Sequence, residues 1–203
     1  MSYTTVGIID YGMGNHASVM HSLHALGFRV RVSSKIEILN DVDVLILPGV
    51  GAFPSAMQAL NKLDLVGYLQ KQAQERRPII GICLGMQLLA GASYEYKYTT
   101  GLDLIPGEIV PLASSKSHIG WNTMECVQQD QQLQLSDGQS FYFNHSYRYQ
   151  GPDEYQICES RYIDPFPSVI RRGNIVGIQF HPEKSQTAGR LLLGNLIAGM
   201  VNA

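Results

Sequence analysis

Cys83 sits in Gly81-Ile82-Cys83-Leu84-Gly85, after an apolar run and before a stretch where Met86, Leu88 and Leu89 suit a helix. A nucleophile needs this strand–turn–helix setting, because a sharp turn exposes its side chain at the end of a sheet. Glycines two residues before and after remove the β-carbons that would collide with adjacent chain. The start of a helix also brings a partial positive charge and free backbone N–H groups close to the sulfur. The same five residues equally describe a small buried cysteine flanked by glycines, so the elbow becomes chemistry only if it has a base. Cys126 and Cys158 lack such surroundings and read as inert core or strand thiols.

A thiol needs a base, and the base needs a group to orient it. Of six histidines, His16, His21 and His24 fall in a helical region, and His118 and His145 lie near strands. His181 differs, because it closes the apolar run 175–180 and opens His181-Pro182-Glu183. In extended chain the side chains of His181 and Glu183 point the same way, and Pro182 biases the residue before it toward that conformation. A carboxylate so placed can hold one imidazole nitrogen and leave the other for the thiol. Acyl chemistry also needs oxyanion donors. Pro48-Gly49-Val50-Gly51 follows another apolar run, so a peptide N–H among Gly49, Val50 and Gly51 could join that of Leu84; an ordinary glycine-rich connector fits the same residues.

These groups meet only if the elements carrying them end at one edge. Residues 6–9, 29–33, 44–47 and 79–83 read as strands; Val19, Met20, Leu23 and Leu26, stopped by Gly27, and residues 53–60 and 65–75 read as helices. That alternation predicts an α/β fold, an open and mostly parallel sheet with helices on both faces, whose strands bring their carboxyl ends to one side. After Gly91, turns such as Pro106-Gly107 and Asp137-Gly138 separate short β-type runs, including Phe141-Tyr142-Phe143. These predict an antiparallel or mixed extension of the same sheet. Leu192, Leu193, Leu196, Ile197 and Met200 mark a closing helix. With 203 residues and no linker or repeat, residues 1–203 are expected to form one domain.

Composition removes other classes. A net charge of −2 leaves no footprint for nucleic acid or an anionic membrane, and the pairs Arg76-Arg77 and Arg171-Arg172 read as solvated surface. The cysteines have no CxxC spacing, so neither a zinc site nor a disulfide framework is expected. Asp10-Tyr11-Gly12-Met13-Gly14-Asn15 is not the GxGxxG loop of dinucleotide binding. Met1 to Thr5 do not read as a signal peptide, and no apolar run approaches a membrane span, so a cytoplasmic location is expected.

Taken with Gly101-Leu102-Asp103-Leu104-Ile105-Pro106-Gly107, Gly120-Trp121-Asn122, Asn144-His145-Ser146-Tyr147 and Gln179-Phe180-His181-Pro182-Glu183-Lys184-Ser185, the chain resembles the class-I (triad) glutamine amidotransferases. More narrowly it resembles those glutaminase subunits that feed ammonia to a (β/α)8 cyclase of the HisF type in histidine biosynthesis. The resemblance implies a flavodoxin-like fold, no cofactor, and a triad of Cys83, His181 and Glu183. It implies that Gln87, Glu95, Ser146 and Tyr147 hold L-glutamine, and that Trp121, His118 and Asn122 face the partner. Among Tyr94, Tyr96 and Tyr98, Glu95 also fits a surface position, and Trp121 also fits core packing. Ser117 stands where the family usually has proline, in the segment that touches the partner. The same chemistry supplying a surface-sugar amidotransferase is therefore an alternative, and a catalytically silent scaffold is a third.

Overall fold

The computed structural model describes residues 4–112 and 117–202. Met1, Ser2 and Tyr3, included in the reading of the amino terminus, lie outside the described residues. The first half runs β1 (Thr5–Ile9), α1 (His16–Ala25), β2 (Arg29–Ser33), α2 (Ile36–Asn40), β3 (Val44–Leu47), α3 (Phe53–Lys62), α4 (Leu65–Gln74), β4 (Ile79–Ile82) and α5 (Leu84–Leu88). Short strands follow: β5 (Ala92–Ser93), β6 (Thr99–Thr100), β7 (Glu108–Pro111), β8 (His118–Thr123), β9 (Glu125–Cys126), β10 (Ser140–His145) and β11 (Tyr147–Gln150). The chain ends with β12 (Gln156–Tyr162), β13 (Asp164–Arg172), β14 (Ile175–Ile178) and α6 (Gln186–Val201).

The main sheet has the order β2-β1-β3-β4-β14-β13-β12-β9. Its first five strands are parallel, and β13, β12 and β9 add on antiparallel, so the expected extension of the sheet is present. Phe141, Tyr142 and Phe143 are not part of it. They lie in β10, which pairs with β8 as a separate two-stranded sheet, while β11, β7, β5 and β6 form a third. Hydrophobic alternation reports a strand but not which strand it joins.

The central strands are apolar on both sides, as burial between two helical layers demands. Leu45, Leu47 and Ile79 pack into one core with α3, α4 and α5. The alternate residues Val44, Ile46, Ile80 and Ile82 pack into a second core with α1 and α6. A period of two therefore sends neighbouring residues of one strand to opposite layers. Helix α2, absent from the sequence reading, is one short turn whose Leu39 joins the first core. Arg171 departs from the solvated surface expected of it, forming a half-buried ion pair with Asp130 at 2.6 Å.

Candidate active site

Four of the parallel strands deliver the site. β1, β3, β4 and β14 are neighbours, so the segments after Ile9, Leu47, Ile82 and Ile178 emerge at one edge. Cys83 directly follows β4 and precedes α5, with φ 55° and ψ −110°. For a residue with a Cβ that backbone costs about 1–3 kcal/mol, so the surroundings must impose it. They do so through the Cys83 N–H, which donates to the Ile178 carbonyl at 2.7 Å, and through the tight elbow itself. A Cβ on Gly81 would lie 2.6 Å from the Gly85 carbonyl oxygen, and one on Gly85 would overlap the Leu47 carbonyl of the next strand.

His181 and Glu183 stand across from the cysteine, beyond β14. Glu183 Oε1 meets His181 Nδ1 at 2.8 Å, with both side chains almost wholly buried. The local geometry differs from the extended segment expected. The strand ends at Ile178, and Pro182–Lys184 is a 3-10 turn. His181 itself stays extended (φ −101°, ψ 91°), and the turn brings Glu183 back onto its ring. The Ser185 hydroxyl closes the turn on the His181 carbonyl at 2.7 Å. Burial opposes charge on His181, but hydrogen bonds with Cys83 and Glu183 outweigh it and push the imidazole up to about 10. The set can place charge on His181 beside the sulfur and pass a proton between them.

A cavity of about 370 Å³ opens over Cys83, lined by Val50, Gly51, Leu84, Gln87, Glu95, Ser146, Tyr147 and His181 among others. Most residues expected at the substrate thus share one cavity. Gly49 sits behind it, where a Cβ would lie 2.7 Å from the Tyr11 hydroxyl and 2.8 Å from Leu84 Cβ. Glu95 is buried rather than on the surface; its Oε2 accepts from the Phe53 N–H at 2.7 Å, and burial raises its carboxyl above the usual range. Gln87 Nε2 donates to the Tyr147 carbonyl and to Gln179 Oε1, both at 3.2 Å. Lys184, Tyr96, Asn144 and His145 line the cavity too. Nothing in their spacing singles them out, because their approach to the cysteine is made by tertiary folding.

A larger cleft of about 1140 Å³ lies at the opposite end of the sheet, among Gln70, Arg76, Asp103, Arg172 and Asn174. None of the groups just described reaches it, so the smaller cavity is the candidate site.

The residues expected at a partner surface separate. Trp121 is 52% exposed on β8, edge-on to Tyr142 of β10, so it is not core. Asn122 is half-buried. His118 is a correction: its ring is buried, stacked between Phe143 and Tyr162, and presents no side chain outward. Strand alternation explains this, since one face of β8 turns inward and the other outward. Cys126 and Cys158 are free thiols on the adjoining strands β9 and β12, their sulfurs 3.3 Å apart. Burial raises both above the usual thiol range, consistent with inert strand residues.

A mostly parallel α/β sheet thus carries a strained cysteine elbow and a buried His–Glu pair at its carboxyl edge. The chain belongs to the glutamine amidotransferase class-I family, whose model matches residues 7–197. Within that family it is similar to the imidazole glycerol phosphate synthase subunit HisH of Aquifex aeolicus, 44% identical over 193 residues and 93% of each chain. The HisH subunit of Carboxydothermus hydrogenoformans is 43% identical over 93% of this chain and 96% of its own. Identity of this order over nine tenths of both chains puts the sequence among the HisH subunits. Solved structures share the fold at low identity. PurLQS from Thermotoga maritima has a TM-score of 0.77 at 18% identity, over 99% of this chain and 98% of that one. A glutamine amidotransferase from the same organism has 0.69 at 16%, over the whole of both chains.

Proposed function

We propose that the chain hydrolyses L-glutamine to glutamate and ammonia, and delivers the ammonia to a HisF-type (β/α)8 cyclase. The pathway is histidine biosynthesis, with imidazole glycerol phosphate and an aminoimidazole carboxamide ribonucleotide as products, in the cytoplasm. Among the described residues no helix is long and apolar enough to cross a membrane. The chain acts as one domain. The observation that carries this reading is Cys83, strained at φ 55° on its elbow beside the buried His181–Glu183 pair.

The Cys83 sulfur attacks the carboxamide carbon, and the oxyanion is held by N–H groups of Leu84 and of Gly49, Val50 or Gly51. His181 gives its proton to the departing nitrogen, which leaves as ammonia, and a γ-glutamyl thioester remains. Water, deprotonated by His181, then cleaves the thioester to glutamate and restores the thiol. Glu183 holds His181 by Nδ1 so that Nε2 does this work. Gln87, Glu95, Ser146 and Tyr147 hold the amino acid, Glu95 pairing with its ammonium group. Trp121 faces the cyclase from the outward side of β8, while Asn122 shares the inward face with His118 and bonds to it.

Glutamate release by the chain with a HisF-type cyclase carrying its ribonucleotide tests the reading. Turnover should be low for the chain alone, rise with the loaded partner, and vanish in Cys83→Ala. Unchanged release in Cys83→Ala would sink the thiol mechanism. Binding to a sugar amidotransferase instead of the cyclase would redirect the pathway and leave the chemistry standing.

A further inference from the structure

We infer that His145 is a positioning residue for glutamine binding, the last donor in a one-way chain of hydrogen bonds from Asn122 on β8 to the Tyr147 carbonyl at the cavity. The inference rests on the glutaminase reading and adds a residue to its substrate site.

The direction of the chain follows from its two ends. Asn122 Oδ1 accepts from the Thr123 N–H at 2.8 Å, and its Nδ2 donates to the Arg161 carbonyl at 2.9 Å. Two independent partners therefore fix the amide, and it is the nitrogen that faces His118 Nε2, at 3.3 Å. His118 Nε2 must accept, so its proton sits on Nδ1, which donates to His145 Nε2 at 3.1 Å. His145 in turn carries its proton on Nδ1, which donates to the Tyr147 carbonyl at 2.8 Å. That carbonyl can only accept, so both ends demand the same tautomer of each ring. Burial holds both imidazoles below their usual range, which keeps each ring neutral and the direction single.

The Tyr147 carbonyl takes a second bond from Gln87 Nε2. The other Gln87 amide proton is engaged by Gln179 Oε1. With both protons used, Oε1 is the end of Gln87 left for a ligand, and it suits an N–H donor such as an amino acid supplies. His145 keeps the Tyr147 carbonyl, and with it the Ser146–Tyr147 segment and the Gln87 amide, in that orientation. Without this donor the carbonyl can turn, and Gln87 can present a donor where the substrate needs an acceptor.

Two substitutions separate positioning from packing. In His145→Asn the amide nitrogen replaces Nδ1 and keeps the donor to Tyr147. In His145→Gln the amide replaces Nε2 and loses that donor. Both remove the ring that packs on Phe143 and Phe166. With the loaded cyclase present, His145→Gln should raise the KM for glutamine roughly tenfold while kcat stays within about threefold, and His145→Asn should keep KM within about threefold. An equal rise in both, the opposite order, or failure of both to fold makes the ring a packing residue and overturns the inference. Cys83→Ala, assayed alongside, distinguishes the two levels. Glutamate release that survives it removes the Cys83 thiol mechanism, and with it the site on which this inference rests. Release that it abolishes, with equal KM in the two His145 variants, overturns this inference alone.

Discussion

Tyr11 lies beside the proposed triad without belonging to it. Its hydroxyl donates to the Pro48 carbonyl at 2.7 Å, pinning the first peptide of the Gly49-Val50-Gly51 loop against the elbow. Burial, and then the neighbouring Cys83, raise the phenol above its usual range, so it remains a donor. Tyr11→Phe keeps the ring and removes only the hydroxyl. We expect kcat for glutamine to fall roughly tenfold with little change in KM, less than the about 10²–10³ caused by losing an oxyanion donor outright. Stability should drop by about 1 kcal/mol, the net worth of one hydrogen bond. Steady-state kinetics with the cyclase present checks both parameters, and a rise in KM at constant kcat would place Tyr11 in ground-state binding instead.

At the scale of elements, the elbow works because β3, β4 and α5 approach more closely than side chains permit. Gly85 lies over the Leu47 carbonyl, and Gly81 lies against Gly85 itself. Gly85→Ala forces β3 and α5 apart, since the atom it meets is backbone and cannot rotate away. The expected cost is about 3 kcal/mol or more, at the upper end for overpacking. Denaturant unfolding measures it, and a variant with wild-type stability would show that the contact yields. The glycine pattern was legible in the sequence for this reason: a close approach of backbones admits only one residue type. Helix α2 and the separate pairing of β10 with β8 were not, because a single turn has too few residues to show a period and alternation does not name a partner strand.

For the molecule as a whole, three buried histidines are expected to shape how stability depends on pH. His145 is pushed down to about 4, chiefly by burial; the bond to the Tyr147 carbonyl opposes this, and His118 and His181 add to it. An unfolded histidine titrates near 6.5. The folded state therefore keeps this contribution above pH 6.5 and loses it as pH falls from 6.5 to 4, by on the order of 3 kcal/mol. His118 shifts in the same direction. His181, held up to about 10, acts with the opposite sign: its contribution is full below 6.5 and is lost as pH rises toward 10. Stability measured by urea unfolding should thus decline on both sides of neutrality. A flat profile between pH 7 and 4.5 would show that His145 and His118 take up protons without cost.

Residue types and spacing alone marked Cys83, the His181-Pro182-Glu183 segment and the glycines around them, because strained turns and close backbone contacts leave few permitted residues. They also marked the parallel half of the sheet, whose strands and helices carry distinct periods. The meeting of Cys83 with His181, and of His181 with Glu183, is different. It depends on β4 and β14 being adjacent and in register, on the strand ending at Ile178, and on a 3-10 turn folding the carboxylate back. The inward turn of His118, the bond from Tyr11 to Pro48 and the path from Asn122 to Tyr147 likewise join residues far apart along the chain. Local sequence constrains local backbone, and only packing decides which distant side chains share a site.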